Sequence, residues 1–290
     1  MDQAAYVRAM MRPLLPQETG MLPKLIPIQG IAAVVFDIYG TLIISAAGDI
    51  GTETGEFRED AVGSVSSSVS AEFGVTRAYL AGSFQETVKR HQAERRLHGV
   101  VYPEVEIRAV WAEMIESLGV TQAGPDMIEE LALRYECELN PVWPMPHADE
   151  VIGAIARSGK QLGIISNAQF YTRPVIEGLF DGSLDDLGFH PKLQVFSYEV
   201  REGKPSRRLY EILAERAGEF GIEPEQICYL GNDMTKDVLP ARELGFRTGL
   251  FAGDARSLRL GGLSPEEAAD TADAVITDLA QLPALFHIPA

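Results

Sequence analysis

Cysteine is scarce in this chain of 290 residues: Cys137 and Cys228 stand far apart and form no CxxC pair. That supports neither a disulfide framework nor a thiolate metal cluster. The five histidines, His91, His98, His147, His190 and His287, are scattered without metal-ligand spacing. No apolar run reaches the roughly 18 residues of a membrane span, and the N-terminus has no basic stretch leading through an apolar run to a cleavage site. Basic residues are also few, 25 against 42 acidic ones for a net charge of −17, which speaks against nucleic acid or an anionic membrane surface as partner. These absences lead us to expect a reduced, cytoplasmic protein with a small-molecule substrate. Any anionic substrate must then be met by local positive charge.

What is present is a core of generous size, 46% hydrophobic, in a chain long enough for roughly two domains. The stretch Ala32–Leu42 is the organising one. Val34, Val35 and Phe36 form an uninterrupted β-branched and aromatic run, as expected of a strand buried on both faces of a parallel sheet. Asp37 closes it, at the carboxyl end where open α/β sheets bind ligands. Further short strands are predicted at Gln161–Ile165, Leu193–Phe196, Gln226–Leu230, Arg247–Phe251 and Ala274–Ile276, alternating with helices, which implies βαβ units. Between about Ala71 and Leu139 the pattern is helical: Ile107, Val110, Trp111, Met114, Ile115 and Leu118 share one face, and Met127–Leu139 gives a second run. Gly48–Ser70, rich in Gly, Ser and acid, reads as a mobile flap and hinge, and Ala4–Leu15 as a short helix ahead of a Pro-rich lead-in. The expected organisation is an N-terminal extension (1–30), an α/β Rossmann-like core with a parallel sheet (31–48 and 140–290), and a hinge with an inserted α-helical domain (49–139).

Chemistry emerges where the strands end. Asp37, the hydroxyl and amide of Ser166 and Asn167, the ammonium of Lys204, and the trio Asn232, Asp233 and Asp237 are all delivered to one sheet edge. Such a set suits phosphoryl transfer. Asp37 can attack phosphorus and form an aspartyl-phosphate; a hard divalent cation, Mg²⁺, would separate the carboxylates from the phosphate. Ser166 and Lys204 would hold the remaining oxygens as charge develops.

In their order and content, four stretches resemble the motifs of the haloacid dehalogenase-like hydrolase superfamily: FDIYGTL with Asp37 as nucleophile and Thr41 beside it, SN at Ser166-Asn167, Lys204 of GKP, and GNDMTKD. The resemblance implies a Rossmann-like core, a C1-type helical cap over the site, and Mg²⁺ held around Asp37, Tyr39, Asn232, Asp233 and Asp237. Aligning on Asp237 leaves either Asn232 or Asp233 in the ligand slot; a carboxylate suits Mg²⁺ better, which favours Asp233. Two residues after the nucleophile, where the family's phosphatases carry an acid, this chain has Tyr39, as 2-haloacid dehalogenases do, and Tyr210 also resembles their pattern. The expected function is a Mg²⁺-dependent phosphatase of a small phosphorylated metabolite. The alternatives are a metal-independent 2-haloacid dehalogenase and a catalytically weak binding or regulatory protein; a homo-oligomer stays open. Arg90, Arg95, Arg96, Glu104 and Trp111 in the insert are read as surface pairs and core rather than as site.

Overall fold

Four residues with no exposed surface, Ala33–Phe36, form the strand around which the sheet is built. The computed structural model describes residues 2–47, 77–119 and 123–288. In chain order these form α1 (Gln3–Met10), β1 (Ala33–Phe36), β2 (Ile43–Ser45), α2 (Arg77–Leu97), α3 (Ile107–Ser117), α4 (Pro125–Leu139), β3 (Val142–Pro144), α5 (Ala148–Arg157) and β4 (Gln161–Ser166). There follow α6 (Thr172–Phe180), β5 (Phe189–Phe196), α7 (Ser197–Val200), α8 (Arg207–Gly218), β6 (Ile227–Gly231), a wide turn at Met234–Val238, α9 (Leu239–Glu243), β7 (Arg247–Phe251), α10 (Pro265–Thr271), β8 (Ala274–Ile276) and α11 (Leu282–Leu285).

The main sheet has six strands in the order β5-β4-β1-β6-β7-β8, each pair parallel. Helical crossovers put a layer on each face, and the alternation of β1 sorts its residues between them. Val34 and Phe36 pack with Val151 and Ile155 of α5 and Val175 and Ile176 of α6. Ala33 and Val35 face the other way, toward Leu209, Tyr210 and Leu213 of α8. Both faces of β1 are thus dry, which explains the unbroken apolar run. The architecture is the expected α/β Rossmann-like one.

Chain direction across the sheet reverses at β1, whose neighbours are β4 on one side and β6 on the other. Such a switch point opens a crevice beyond the carboxyl ends of the strands. Over that edge lies a helical insertion, α2–α4, whose centre is aromatic: the Phe84, Trp111 and Tyr135 rings sit 5.0 to 5.6 Å apart. Trp111 is therefore core. The chain enters and leaves the insertion through a two-stranded antiparallel ribbon of β2 and β3, with Ile44 opposite Trp143. Sequence reading missed both strands because three residues are too few to show a period. Gly48–Ser70 lies outside the described residues.

The N-terminal helix is shorter than expected, ending at Met10 rather than Leu15. Pro13 explains this, because the residue before a proline is driven out of the α region. α1 packs against α6 so closely that a Cβ at Gly178 would lie 2.7 Å from the Ala4 carbonyl oxygen. The segment that follows runs along the core: Thr19 Oγ1 donates to the Ala252 carbonyl (2.8 Å), and Lys24 exchanges backbone hydrogen bonds with Val275 at the sheet's outer edge.

Candidate active site

Register brings the candidate residues together. Phe36 lies level with Ile164 of β4 and Leu230 of β6, so Asp37 emerges between Ser166 and Asn232, and its N–H is fixed by the Leu230 carbonyl at 2.8 Å. Ser166 Oγ donates to Asp37 Oδ1 at 2.8 Å. Lys204 Nζ reaches the same oxygen at 2.9 Å and Asp237 Oδ1 at 2.6 Å, with only 3% of its side chain exposed. Asp237 is fully engaged: Tyr229 OH also donates to Oδ1 (3.0 Å), and the Asp233 N–H donates to Oδ2 (3.0 Å). The asparagine of the second motif makes no side-chain hydrogen bond to Asp37. Asn167 Oδ1 instead accepts the Lys204 N–H at 2.7 Å, which fixes the backbone from which the ammonium projects.

Two glycines are required by this packing. A Cβ at Gly231 would lie 2.3 Å from the Asp237 carboxyl carbon, so only glycine lets that carboxylate cross the end of β6. Gly40 has φ +83°, and its Cβ would meet Ser257 at 2.5 Å, in the loop after β7. That loop completes the wall. Asn232 Nδ2 donates to the Ser257 carbonyl (2.7 Å), while Asn232 Oδ1 accepts from Thr41 Oγ1 (3.1 Å). Asp233 caps the next turn, its Oδ1 accepting from the N–H groups of Thr235 and Lys236 at 2.7 and 2.9 Å.

A cavity of about 30 Å³ opens here, lined by Asp37, Tyr39, Asn167, Lys204, Asn232, Asp233, Asp237, the buried Ser257 and, where it is more exposed, Lys236 and Arg259. It has room for about two waters. Tyr39 turns its hydroxyl to Thr172 Oγ1, 3.0 Å away. Burial, with the nearby Glu136 carboxylate, pushes that phenol well above its ordinary pKa. Burial also raises Asp37 to about 6, although Lys204 opposes it. For Lys204, burial favours the neutral amine but is outweighed by Asp237 and Asp37, and the ammonium is held to about 12. The cavity floor is thus an ion triad around one lysine.

Several residues seen in the sequence lie elsewhere. Tyr210 is buried beneath the Met234–Val238 turn and donates to the Lys236 carbonyl. Glu104 accepts from Gln169 Nε2 (3.1 Å) and Ser197 Oγ (2.8 Å), tying the insertion to the loop after β4. Arg90 pairs with Glu113 between α2 and α3, and Arg95 donates to the Arg201 carbonyl. Sequence reading overlooked Tyr229, Ser257, Lys236 and Arg259. For Tyr229 a signal existed, a polar tip within the otherwise apolar strand ICYL.

Among the described residues, no three Asp, Glu, His or Cys side chains gather into a metal-holding group. The cavity nonetheless offers hard oxygen donors: Asp37 and Asp233 each keep Oδ2 without a hydrogen bond among the described residues, and Asn232 lines the same cavity. One or two carboxylates, with water and substrate oxygens completing the shell, are what Mg²⁺ takes. The residues therefore fit that ion in the company of a phosphate.

A model of the haloacid dehalogenase-like hydrolases matches residues 31–245 of this chain. An uncharacterized hydrolase of Schizosaccharomyces pombe is 30% identical over 142 residues, 46% of this chain but only 58% of that protein. Phosphoserine phosphatase of Thermus thermophilus is 27% identical over 187 residues, 62% of this chain and 68% of its own length. In three dimensions, a 2-haloacid dehalogenase from Pseudomonas syringae superposes with a TM-score of 0.55 at 17% identity, covering 88% of this chain and 97% of that one. That last likeness is one of fold.

Proposed function

Because the chain belongs to the haloacid dehalogenase-like hydrolases, we propose that within this family of hydrolases it is a Mg²⁺-dependent phosphatase of a small phosphate ester, with α2–α4 serving as a cap. The observation that carries this reading is the pair of unengaged carboxylate oxygens, on Asp37 and Asp233, facing one cavity beside Lys204. A phosphate with a divalent cation fits that arrangement; a haloacid has no use for the second carboxylate. Phosphatases among the relatives lend support.

In this reading Ser166 and Lys204 hold Asp37 Oδ1, which leaves Oδ2 to attack phosphorus. The new O–P bond forms as the bond to the leaving oxygen breaks, and the electron pair departs with that oxygen. Water then attacks the aspartyl-phosphate, releasing inorganic phosphate and restoring Asp37. Asp37 and Asp233, with Asn232, would hold the cation. When bound, Mg²⁺ neutralises phosphate charge that these carboxylates would otherwise repel. Asp237 acts through Lys204, which it locks in place, and Tyr39 shapes the wall.

Tyr39 also favours a second reading, a 2-haloacid dehalogenase in which Asp37 attacks carbon and halide leaves. Phosphate esters and 2-haloacids, each assayed with Mg²⁺ and with a chelator, separate the two. Chelator-sensitive phosphate release is expected. Chelator-insensitive halide release would replace this reading by the second, and no turnover of either panel would indicate a binding or regulatory protein.

A further inference from the structure

Three cationic side chains line the cavity, and Lys204 is held by both Asp37 and Asp237. The other two, Lys236 and Arg259, stand at the rim on segments that follow β6 and β7. Their placement is fixed by the backbone. The Arg259 N–H donates to the Asn232 carbonyl (3.0 Å), and its own carbonyl accepts the Met234 N–H (2.8 Å), so Arg259 brackets Asp233. Its Nη1 donates to the carbonyls of Arg256 and Leu258 at 2.7 and 3.0 Å. Nε and Nη2 remain, donors with no hydrogen bond among the described residues, on a guanidinium suited to carboxylate or phosphate. Ser257, two residues earlier, supplies an independent sign. It is 1% exposed and lines the cavity, and its Oγ has no hydrogen-bond partner. A buried hydroxyl left unpaired is unfavourable unless a ligand satisfies it.

We infer that Ser257 and Arg259 form a subsite for a second anionic group of the substrate, making the substrate class phosphate esters that carry a carboxylate or further phosphate close to the ester oxygen. The inference rests on the phosphatase reading and sharpens it. The cavity has little room beyond the transferred group, so the rest of the substrate must lie at the rim. With a chain charge of −17, a second anion is repelled everywhere except where cations are fixed. On the insertion side Arg90 pairs with Glu113 and Arg95 donates to the Arg201 carbonyl, whereas Arg259 lines the cavity itself.

The test compares phosphoglycolate, which has a carboxylate, with ethyl phosphate, which has none, on full-length wild type, Arg259→Gln and Ser257→Ala with Mg²⁺. The ratio of the two kcat/KM values should fall about tenfold or more in Arg259→Gln, through KM, and by a smaller factor in Ser257→Ala. The wild-type ratio should shrink with added salt. Calorimetric titration of phosphoglycolate into each protein should show the same loss of affinity. A ratio and an affinity unchanged in Arg259→Gln would overturn the subsite while leaving the phosphatase reading standing. Failure of wild type to hydrolyse either ester or any other phosphate would overturn both, and is told apart by that breadth.

Discussion

Lys204 Nζ lies nearer to Asp237 than to Asp37, 2.6 against 2.9 Å, in a cluster of ions with little exposed surface. The lysine is anchored by one carboxylate and presented to the other. Replacing it by Ala would leave two buried carboxylates facing each other, a change that typically costs about 3–5 kcal/mol. Lys204→Ala should lose nearly all turnover and unfold at markedly lower urea concentration. Denaturation curves and kcat measured together check this; wild-type stability would mean that the triad is not formed in solution.

Asp37→Asn should abolish turnover yet raise heat stability near neutral pH. The sign follows from burial, which lifts the Asp37 carboxyl from 3.8 to about 6 in the folded protein. A group whose folded pKa is raised favours folding while protonated, and that contribution is lost as pH rises from about 4 through 6. The gap in melting temperature between variant and wild type should therefore open across that window and level off above it. Turnover that needs ionised Asp37 should have an acid limb near pH 6 in kcat/KM. A gap that does not change between pH 4 and 7 would contradict the assignment.

Tyr39 should contribute little as a proton donor, since its hydroxyl is held by Thr172 and its pKa is driven far above neutrality. Hydrolysis should depend steeply on the leaving group, with aryl and acyl phosphates preferred over alkyl ones. Tyr39→Asp should speed alkyl phosphates by about tenfold or more, because a positioned acid is commonly worth 10² to 10⁴. Paired aryl and alkyl rates decide the matter, and an alkyl rate that fails to rise favours the dehalogenase reading.

Gly231→Ala should be severe for its size. The added methyl would lie 2.3 Å from the Asp237 carboxyl carbon and must displace it from Lys204. We expect a loss of about a hundredfold or more in kcat with a folded circular dichroism spectrum. Near-wild-type kcat would show that Asp237 does not need its present position.

Legibility in the sequence followed locality. The unbroken run of β1 and the polar residue at each strand's end are signals written over four to six residues, and the parallel register then aligns those ends. Asp37, Ser166 and Lys204 could be grouped for that reason. The carbonyl of Ser257 against Asn232 and the phenol of Tyr229 against Asp237 join residues through the tertiary fold, and no local pattern announces them. The choice between Asn232 and Asp233 shows the same limit. Both line the cavity, one held by Thr41 and Ser257, the other capping a turn.

The N-terminal arm has a consequence for the order in which this protein is completed. Gln17 donates its N–H to Asp254, 237 residues away, and Ala255 returns a bond to the Gln17 carbonyl. Lys24 and Ile28 find their partners still later, at Val275 and Leu285. On the ribosome residues 17–28 are made well before these partners and must wait for them, while β1, β4 and their helices are free to assemble. The loop bearing Ser257 and Arg259 starts at Asp254, the residue on which the arm closes. Recovery of catalysis on refolding should thus trail the recovery of secondary structure, with the arm's arrival as the event that separates them.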